Sequence, residues 1–159
     1  RDVAKDESEC DQRVWRALEQ AGIAGVIKKL PGQLGFEVED GGGNFSAGER
    51  QLIVLARALM AGDRMRLLLC DEATANVDLD TDEKVHDVLL SLKTTVVMIC
   101  HRLQHIHRFD KVAVLDAGRV VEAGEPRALL ANPHSQLSYL YTHAKLDREE
   151  LLKELSASA

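Results

Sequence analysis

Three side chains able to carry phosphate chemistry follow two apolar runs of the sequence. Asp71 and Glu72 come directly after residues 67–70, and His101 comes directly after residues 95–100. Continuous apolar runs of this length predict strands buried on both faces, as in a parallel sheet. Because ligands of open α/β sheets bind beyond the carboxyl ends of the strands, we expect these three side chains to lie close together at one rim.

The two adjacent carboxylates cannot share one role if they continue a strand, since neighbouring strand residues point to opposite faces. A Mg²⁺ ion prefers one or two carboxylates plus phosphate oxygens, and a second carboxylate can orient or deprotonate an attacking water. This division favours phosphoryl transfer, with Asp71 and Glu72 in different roles. Taken alone, such a pair is more often only the polar end of a strand, so its meaning depends on what accompanies it.

A small-residue segment, residues 43–51, precedes and enters a predicted helix over residues 51–60. Backbone N–H groups and the macrodipole at a helix start attract anions, and small residues let a phosphate approach closely. The alternative is that Ser46 and Glu49 form only a capping box. A capping box and a phosphate contact are compatible at the same helix start, so we expect both.

The spacing of Gly43 and Gly48 matches the two glycines of a P-loop, G-x-x-x-x-G-K-[ST]. Glu49 stands where that motif needs its phosphate-binding lysine, and Arg50 stands where it needs the Ser/Thr that binds Mg²⁺. The segment is therefore not a P-loop.

The remaining pattern alternates helices with strands, which predicts right-handed crossovers and a layered α/β fold. The predicted helices cover residues 10–30 in two pieces, 51–60, 80–92 and the region beyond Pro126; the predicted strands cover residues 67–70, 95–100 and 111–115, the last followed by a hairpin turn at 116–118.

Composition narrows the class of protein. The chain has 159 residues, 45% of them hydrophobic, which suits one packed domain. Its net charge is -6 and no cluster of basic residues is interleaved with aromatics, so we expect no nucleic-acid partner. The three cysteines form no C-x-x-C pair, which favours a reducing, cytosolic setting. No apolar run approaches the ~20 residues needed to span a bilayer.

The histidines form no convincing metal motif. His101 and His105 have a spacing that would suit zinc on one helix face, but no third ligand accompanies them. The other histidines are predicted to be surface residues, namely His86, His107, His134 and His143.

Taken in order, four segments resemble the ATPase domains of ATP-binding cassette (ABC) transporters. Residues 45–51 resemble the ABC signature loop, and residues 67–74 resemble the Walker B motif with its catalytic glutamate. Residues 75–78 resemble the D-loop, and His101, which opens residues 101–103, resembles the switch histidine. The resemblance covers residues 14–124, and residues 73–78 resemble the C, or multidrug-resistance-associated, subfamily.

The resemblance implies part of a P-loop NTPase (RecA-like) parallel sheet with part of the ABC helical subdomain. Residues 1–62 would belong to the helical subdomain with the signature loop, residues 63–124 to the catalytic core, and residues 125–159 to a C-terminal helical tail. In such proteins ATP is held between two domains arranged head to tail, and hydrolysis powers export through transmembrane domains. We therefore expect a protein of the membrane whose present part faces the cytoplasm.

Site roles follow from the same resemblance. Asp71 would bind Mg²⁺, Glu72 would polarise the attacking water, His101 would contact the γ-phosphate of ATP, and Asp78 would couple the two sites. The signature residues expected to serve the partner domain's nucleotide are Phe45, Ser46, Ala47, Gly48, Glu49 and Gln51.

The signature segment departs from the usual Leu-Ser-Gly-Gly-Gln at Phe45, Ala47 and Glu49. An altered signature beside an intact glutamate at position 72 resembles the second nucleotide-binding domain of the C subfamily. The alternative is a degenerate, regulatory module that holds ATP with little turnover. Soluble ABC ATPases of DNA repair or translation would need long coiled coils or basic surfaces, and the sequence has neither.

The sequence contains no P-loop motif, no adenine-stacking aromatic ahead of one and no Q-loop. We therefore expect the chain to be the C-terminal portion of its domain. On that expectation, the isolated chain aggregates or hydrolyses ATP negligibly.

Overall fold

The computed structural model describes residues 3–62, 65–74 and 77–157, with side chains for all of these except residues 3–7 and 154. The chain divides into two compact units, Arg1–Cys100 and His101–Ala159. The boundaries predicted from the resemblance, after residues 62 and 124, do not coincide with this division and stay predictions. Among the described residues, no helix has the length and apolar character needed to cross a membrane.

The first unit contains helices and a pair of strands in the predicted alternation. Its elements are α1 (Val3–Gln20), α2 (Ala24–Ile27), α3 (Ala47–Leu59), β1 (Leu67–Asp71), α4 (Leu79–Ser91) and β2 (Thr95–Ile99). Helix α3 starts four residues earlier than predicted because Ser46 caps it, and α4 starts at Leu79 because Asp78 caps it.

Strands β1 and β2 pair in parallel, from Leu67 opposite Thr95 to Asp71 opposite Ile99. Helix α4 lies between them in the chain and provides the crossover that a parallel pair requires. The prediction of an α/β fold with a parallel sheet is confirmed.

The prediction that both faces of these strands are buried is wrong. One face packs against the core through partly buried side chains: Leu68, Cys70, Val96 and Met98. The other face is open, and on it Leu69 is 69% exposed and Ile99 is 56% exposed. In the described part of the first unit, helices pack on one face of this pair of strands, so the apolar residues of the other face lack the second layer that parallel strands usually have. Cys70 is accordingly half-buried, and that burial raises the pKa of its thiol.

The core of the first unit lies between α1, α2, α3 and α4. Its most deeply buried side chains include Ala21, Ile23, Val85 and Leu89, each at most 2% exposed. Because α1 and α3 present apolar residues at helical spacing, one stripe of each meets this core. The outward side of α3 is mixed, since Val54 on it is 47% exposed.

His86 lies in this core, so its prediction as a surface residue is wrong. It is 1% exposed and stands one turn after Asp82, which is fully buried. The Nδ1 atom of His86 lies 2.8 Å from the backbone oxygen of Asp82 and 3.4 Å from its Oδ1. Positions 82, 85, 86 and 89 share the inward face of α4, and a polar pair buried on that face must satisfy its own hydrogen bonds.

In the described part of the second unit, a short 3₁₀ helix (Ile106–Arg108) precedes an antiparallel hairpin, and three α-helices follow the hairpin. The hairpin pairs β3 (Val112–Asp116) with β4 (Arg119–Gly124) through a turn in which Ala117 and Gly118 both have positive φ, 44° and 74°. This is the pattern of a type I′ turn. The predicted third strand and its hairpin are thus confirmed, but the strand is not buried, because Leu115 is 66% exposed.

The helices of the second unit are α5 (Pro126–Ala131), α6 (Gln136–His143) and α7 (Arg148–Ala157). The start of α6 is tied to the hairpin by Glu122, whose carboxylate accepts hydrogen bonds from the N–H groups of Gln136 at 3.1 Å and Leu137 at 2.9 Å. A carboxylate at a helix start also stabilises the helix through its macrodipole.

Candidate functional site

The carboxyl end of β1 presents two exposed carboxylates in succession. Asp71 is the last residue of the strand and lies opposite Ile99 in the parallel register. Glu72 adds one more ladder bond, since its N–H donates to the oxygen of Ile99 at 3.0 Å. Glu72 nevertheless has φ +47°, a left-handed conformation that is uncommon for a residue other than glycine.

Because Glu72 has a left-handed backbone conformation, the side chains of Asp71 and Glu72 need not point to opposite faces of the sheet. Opposite orientations are required only while the backbone stays extended, and it leaves that conformation at Glu72. Backbone strain of this kind is concentrated at functional sites. Asp71 offers hard, exposed carboxylate oxygens of the type that Mg²⁺ prefers, so the donor set at this strand end fits the predicted ion.

The start of α3 contains the predicted capping box. The N–H of Ser46 donates to Oε2 of Glu49 at 2.8 Å, and the N–H of Glu49 donates to Oγ of Ser46 at 3.2 Å. The first bond of the helix runs from the N–H of Arg50 to the oxygen of Ser46 at 3.0 Å. The N–H groups of Ala47 and Gly48 precede that bond and have no acceptor within the helix.

The capping interpretation is therefore confirmed, and it leaves two N–H groups for an anion. The contact with phosphate stays a prediction. Glu49 places a negative charge within the same turn, and a carboxylate there stabilises the helix start while it repels an incoming phosphate.

Phe45 contributes its side chain to the core. The ring is 6% exposed and meets Phe36 edge to face, with centroids 6.0 Å apart. Its backbone oxygen accepts a hydrogen bond from the guanidinium of Arg50, which also donates to the oxygen of Gly42 at 3.3 Å. Of the predicted signature residues, Ser46 and Ala47 are exposed.

The role of Arg50 in ordering this loop was not predicted from the sequence, where Arg50 counted only as a departure from a P-loop. No sequence signal distinguishes an arginine that bonds to loop carbonyls from a solvated one. Gln51, also predicted to bind nucleotide, lies partly buried in α3, one position after Arg50.

Asp78 caps the start of α4. Its Oδ1 accepts a hydrogen bond from the N–H of Thr81 at 2.9 Å, and its Oδ2 accepts one from the Thr81 hydroxyl at 2.9 Å. These two bonds, the backbone one first, hold the pKa of Asp78 below its ordinary value. The preceding D-loop positions, Ala75 and Asn76, lie outside the described residues.

His101 is exposed and belongs to the second unit. The prediction that it lies beside the carboxylates of the first unit stays a prediction.

Comparison with known proteins places these motifs in a family. No protein-family profile matches the chain. It is 46% identical over 127 residues to mouse ATP-binding cassette sub-family C member 4, an alignment covering 79% of this chain and 9% of that protein. It is 43% identical over 129 residues to the probable multidrug resistance-associated protein lethal(2)03659 of Drosophila melanogaster, covering 80% of this chain and 9% of that protein.

Human ATP-binding cassette sub-family C member 2 is 42% identical over 125 residues, which cover 77% of this chain and 8% of that protein. Among solved structures, a bacterial Atm1-family ABC exporter with ATP bound superposes with a TM-score of 0.75 at 30% identity, covering 86% of this chain and 24% of the exporter chain. The chain thus spans less than a tenth of the curated relatives named here.

The fold corresponds to part of an ABC exporter chain. The chain belongs to the ATP-binding cassette family, in which its relatives are members of sub-family C, the multidrug-resistance-associated group.

Proposed function

We propose that this chain supplies the Walker B carboxylates and the signature loop of an ATPase that powers export across a membrane. The observation that carries the proposal is the pair of exposed carboxylates at the carboxyl end of β1, with Glu72 held in a left-handed turn. Ligands of α/β sheets bind at this edge. The relatives in sub-family C and the ATP-bound exporter support the same function.

At the strand end the two carboxylates would divide the work. Asp71 would hold Mg²⁺, which would supply positive charge to offset the negative charge that develops during phosphoryl transfer. Glu72 would accept a hydrogen bond from the attacking water, orient it and take up its proton as the bond to phosphorus forms. His101 would donate a hydrogen bond to the γ-phosphate of ATP.

At the helix start, the Ser46 hydroxyl and the N–H groups of Ala47 and Gly48 would contact the nucleotide bound by a partner domain. Two N–H groups without an acceptor inside the helix support this role. The partner is a second nucleotide-binding domain arranged head to tail, whose P-loop holds the phosphates of that ATP. Asp78 would couple the two sites through the D-loop.

The complete protein would also contain transmembrane domains that pass the closing motion to the transported substrate. Its location would be a membrane, with this part facing the cytoplasm. Membership of an exporter family supports that setting. The chain would be the C-terminal portion of its domain, and within sub-family C its altered signature favours the second nucleotide-binding domain.

The test is Glu72→Gln in the complete protein that carries this sequence. The amide keeps the shape of the side chain but cannot accept a proton, so we expect ATP turnover to fall by about 100-fold or more, with ATP retained in the closed pair of domains. Turnover and retention of radiolabelled ATP measure the two effects. Glu83→Gln, which removes an exposed carboxylate from α4, is the matched control and should leave turnover unchanged.

Wild-type turnover in Glu72→Gln would show that Glu72 is not the base. If the Glu83→Gln control also loses turnover, the fall in Glu72→Gln comes from the loss of a negative charge and not from the loss of a base.

A second function, a regulatory module that holds ATP with little turnover, is favoured by the carboxylate of Glu49 at the start of α3. In the complete protein, Ala47→Gly combined with Glu49→Gln restores the usual signature at these positions. If that variant gains turnover by about tenfold or more, the altered loop limits hydrolysis, since about 1.4 kcal/mol of binding energy corresponds to such a factor. Unchanged turnover would favour export over the regulatory function.

A further inference from the structure

The starts of α3 and α4 approach each other closely at Gly48. A Cβ atom added to Gly48 would lie 3.0 Å from Oγ1 of Thr81 and 3.4 Å from its Cγ2, with Oδ2 of Asp78 at 3.6 Å. The first of these distances is tighter than nine in ten contacts of real Cβ atoms, so Thr81 would have to shift by a few tenths of an ångström to admit the methyl group. The first turn of α3 therefore fits against the capped turn of α4 because residue 48 has no side chain.

The side chain of Thr81 lies next to both Gly48 and Asp78. Its hydroxyl donates to Asp78 at 2.9 Å, and its backbone N–H donates to the other carboxylate oxygen of Asp78, also at 2.9 Å. The hydroxyl is thereby fixed in direction, and its oxygen is the atom that faces Gly48. The side chain that completes the cap of α4 is the same one that sets the separation from α3.

Each helix start is held firmly on its own side of this contact. The capping box fixes Ser46 and Glu49 at the start of α3. On the other side, the N–H of Asp82 donates to the oxygen of Asp78 at 2.9 Å, and the Asp82 side chain is fully buried. Both turns are held by their own bonds and α3 and α4 share the core, so the contact between Gly48 and Thr81 sets how closely the two helix starts can approach.

We propose that Thr81 is a positioning residue that joins the signature loop to the Asp78 cap, so that the two move as one block when a nucleotide is bound or released. This inference rests on the proposed function, in which both segments serve ATP. It also explains the glycine at position 48, since a side chain there would collide with Thr81. The bonds from Thr81 that keep the pKa of Asp78 low agree with a carboxylate held in one place.

The test is a double-mutant cycle of Gly48→Ala and Thr81→Ala in the complete protein, read by kcat and KM for ATP. We expect Gly48→Ala to lower kcat by about tenfold or more, because the added methyl displaces the Asp78 cap. Thr81→Ala removes both atoms that meet the methyl, so the double variant should recover to within about threefold of Thr81→Ala alone.

Thr81→Ser is the matched control for this rescue. It keeps the oxygen that lies 3.0 Å from the added Cβ and keeps the bond to Asp78. We therefore expect Gly48→Ala to be as damaging in the Thr81→Ser background as it is in the wild-type background. Thermal unfolding of each variant checks that the protein is folded.

Additive losses, with Gly48→Ala equally severe in the Thr81→Ala background, would overturn the inference and leave the proposed function standing, since the glycine would then be needed by the nucleotide itself. Absence of ATP turnover in the wild-type protein would overturn the proposed function instead. If the Gly48→Ala variants do not fold, Thr81→Val decides, because it removes the hydroxyl and keeps the shape. A fall of about threefold or more in kcat with unchanged KM supports the inference, and an unchanged kcat overturns it.

Discussion

Two edges of the first unit carry the candidate chemistry, and they are built differently. At the helix starts, Ser46 and Asp78 each bond to backbone within three residues, and the two turns meet at Gly48. At the strand end, the N–H of Glu72 donates a ladder bond to Ile99, and the outer face of the strand behind it is largely exposed. The helix starts are complete within the chain, whereas the strand end adjoins an apolar face that this chain leaves open.

The difference follows from the range of the interactions. A helix cap is made by residues next to each other in sequence, so it forms wherever the local sequence allows it. A parallel strand needs a layer on each face, and such layers come from distant parts of a chain or from another chain. Four predictions test this contrast, from the largest expected effect to the smallest.

Phe45→Ala should destabilise the protein by about 3–5 kcal/mol, because it empties a buried ring site at the edge of the helix start. Denaturant unfolding measures the change. Phe45→Leu, which introduces the usual signature residue, should cost less than about 1.5 kcal/mol. A small effect of the alanine variant would mean that the ring serves the nucleotide and not the core.

Leu68→Thr and Leu69→Thr compare the two faces of β1. Leu68 packs against the core, so its replacement should cost about 2 kcal/mol, within the range for a lost buried methyl group and a new hydroxyl. Leu69 is 69% exposed, and its replacement should stay within about 0.5 kcal/mol. Equal losses, checked against sedimentation velocity for self-association, would mean that the outer face is covered in solution.

Ser46→Ala should cost about 1 kcal/mol, because the N–H of Glu49 loses its acceptor at the start of α3. Ser91→Ala is the control, since that exposed hydroxyl lies at the far end of α4 and donates to the oxygen of Val88. Unfolding midpoints of the two variants give the comparison. If both variants behave alike, the capping box does not stabilise the helix start.

Asp78 should give a pH dependence of stability with a definite sign. The pKa of Asp78 in the folded protein lies below its ordinary value. Ionised Asp78 therefore adds to the free energy of unfolding at pH values above that ordinary value. The contribution is lost as the pH falls through the folded pKa. The difference in unfolding midpoint between wild type and Asp78→Asn should therefore shrink as the solution is acidified, and a difference that grows would contradict the assignment.

Several features of the site were predictable because they are local. The capping box at Ser46 and Glu49 appears as predicted, and strands β1 and β2 each end within one residue of the predicted position. Two other features were not predictable. The burial of His86 and the bonds of Arg50 to loop oxygens depend on which side of a helix meets the core. The residue type at a single position does not show which side that is.

The sequence by itself determined the family motifs, the alternation of helices and strands, and the caps, since each depends on neighbours a few residues apart. The tertiary structure alone decided that the outer face of β1 and β2 stays open, that the ring of Phe45 turns into the core, and that Gly48 meets Thr81. These are contacts, or the lack of them, between separate segments of the chain. They are set by how helices pack on a sheet and on one another, which no spacing along the chain encodes.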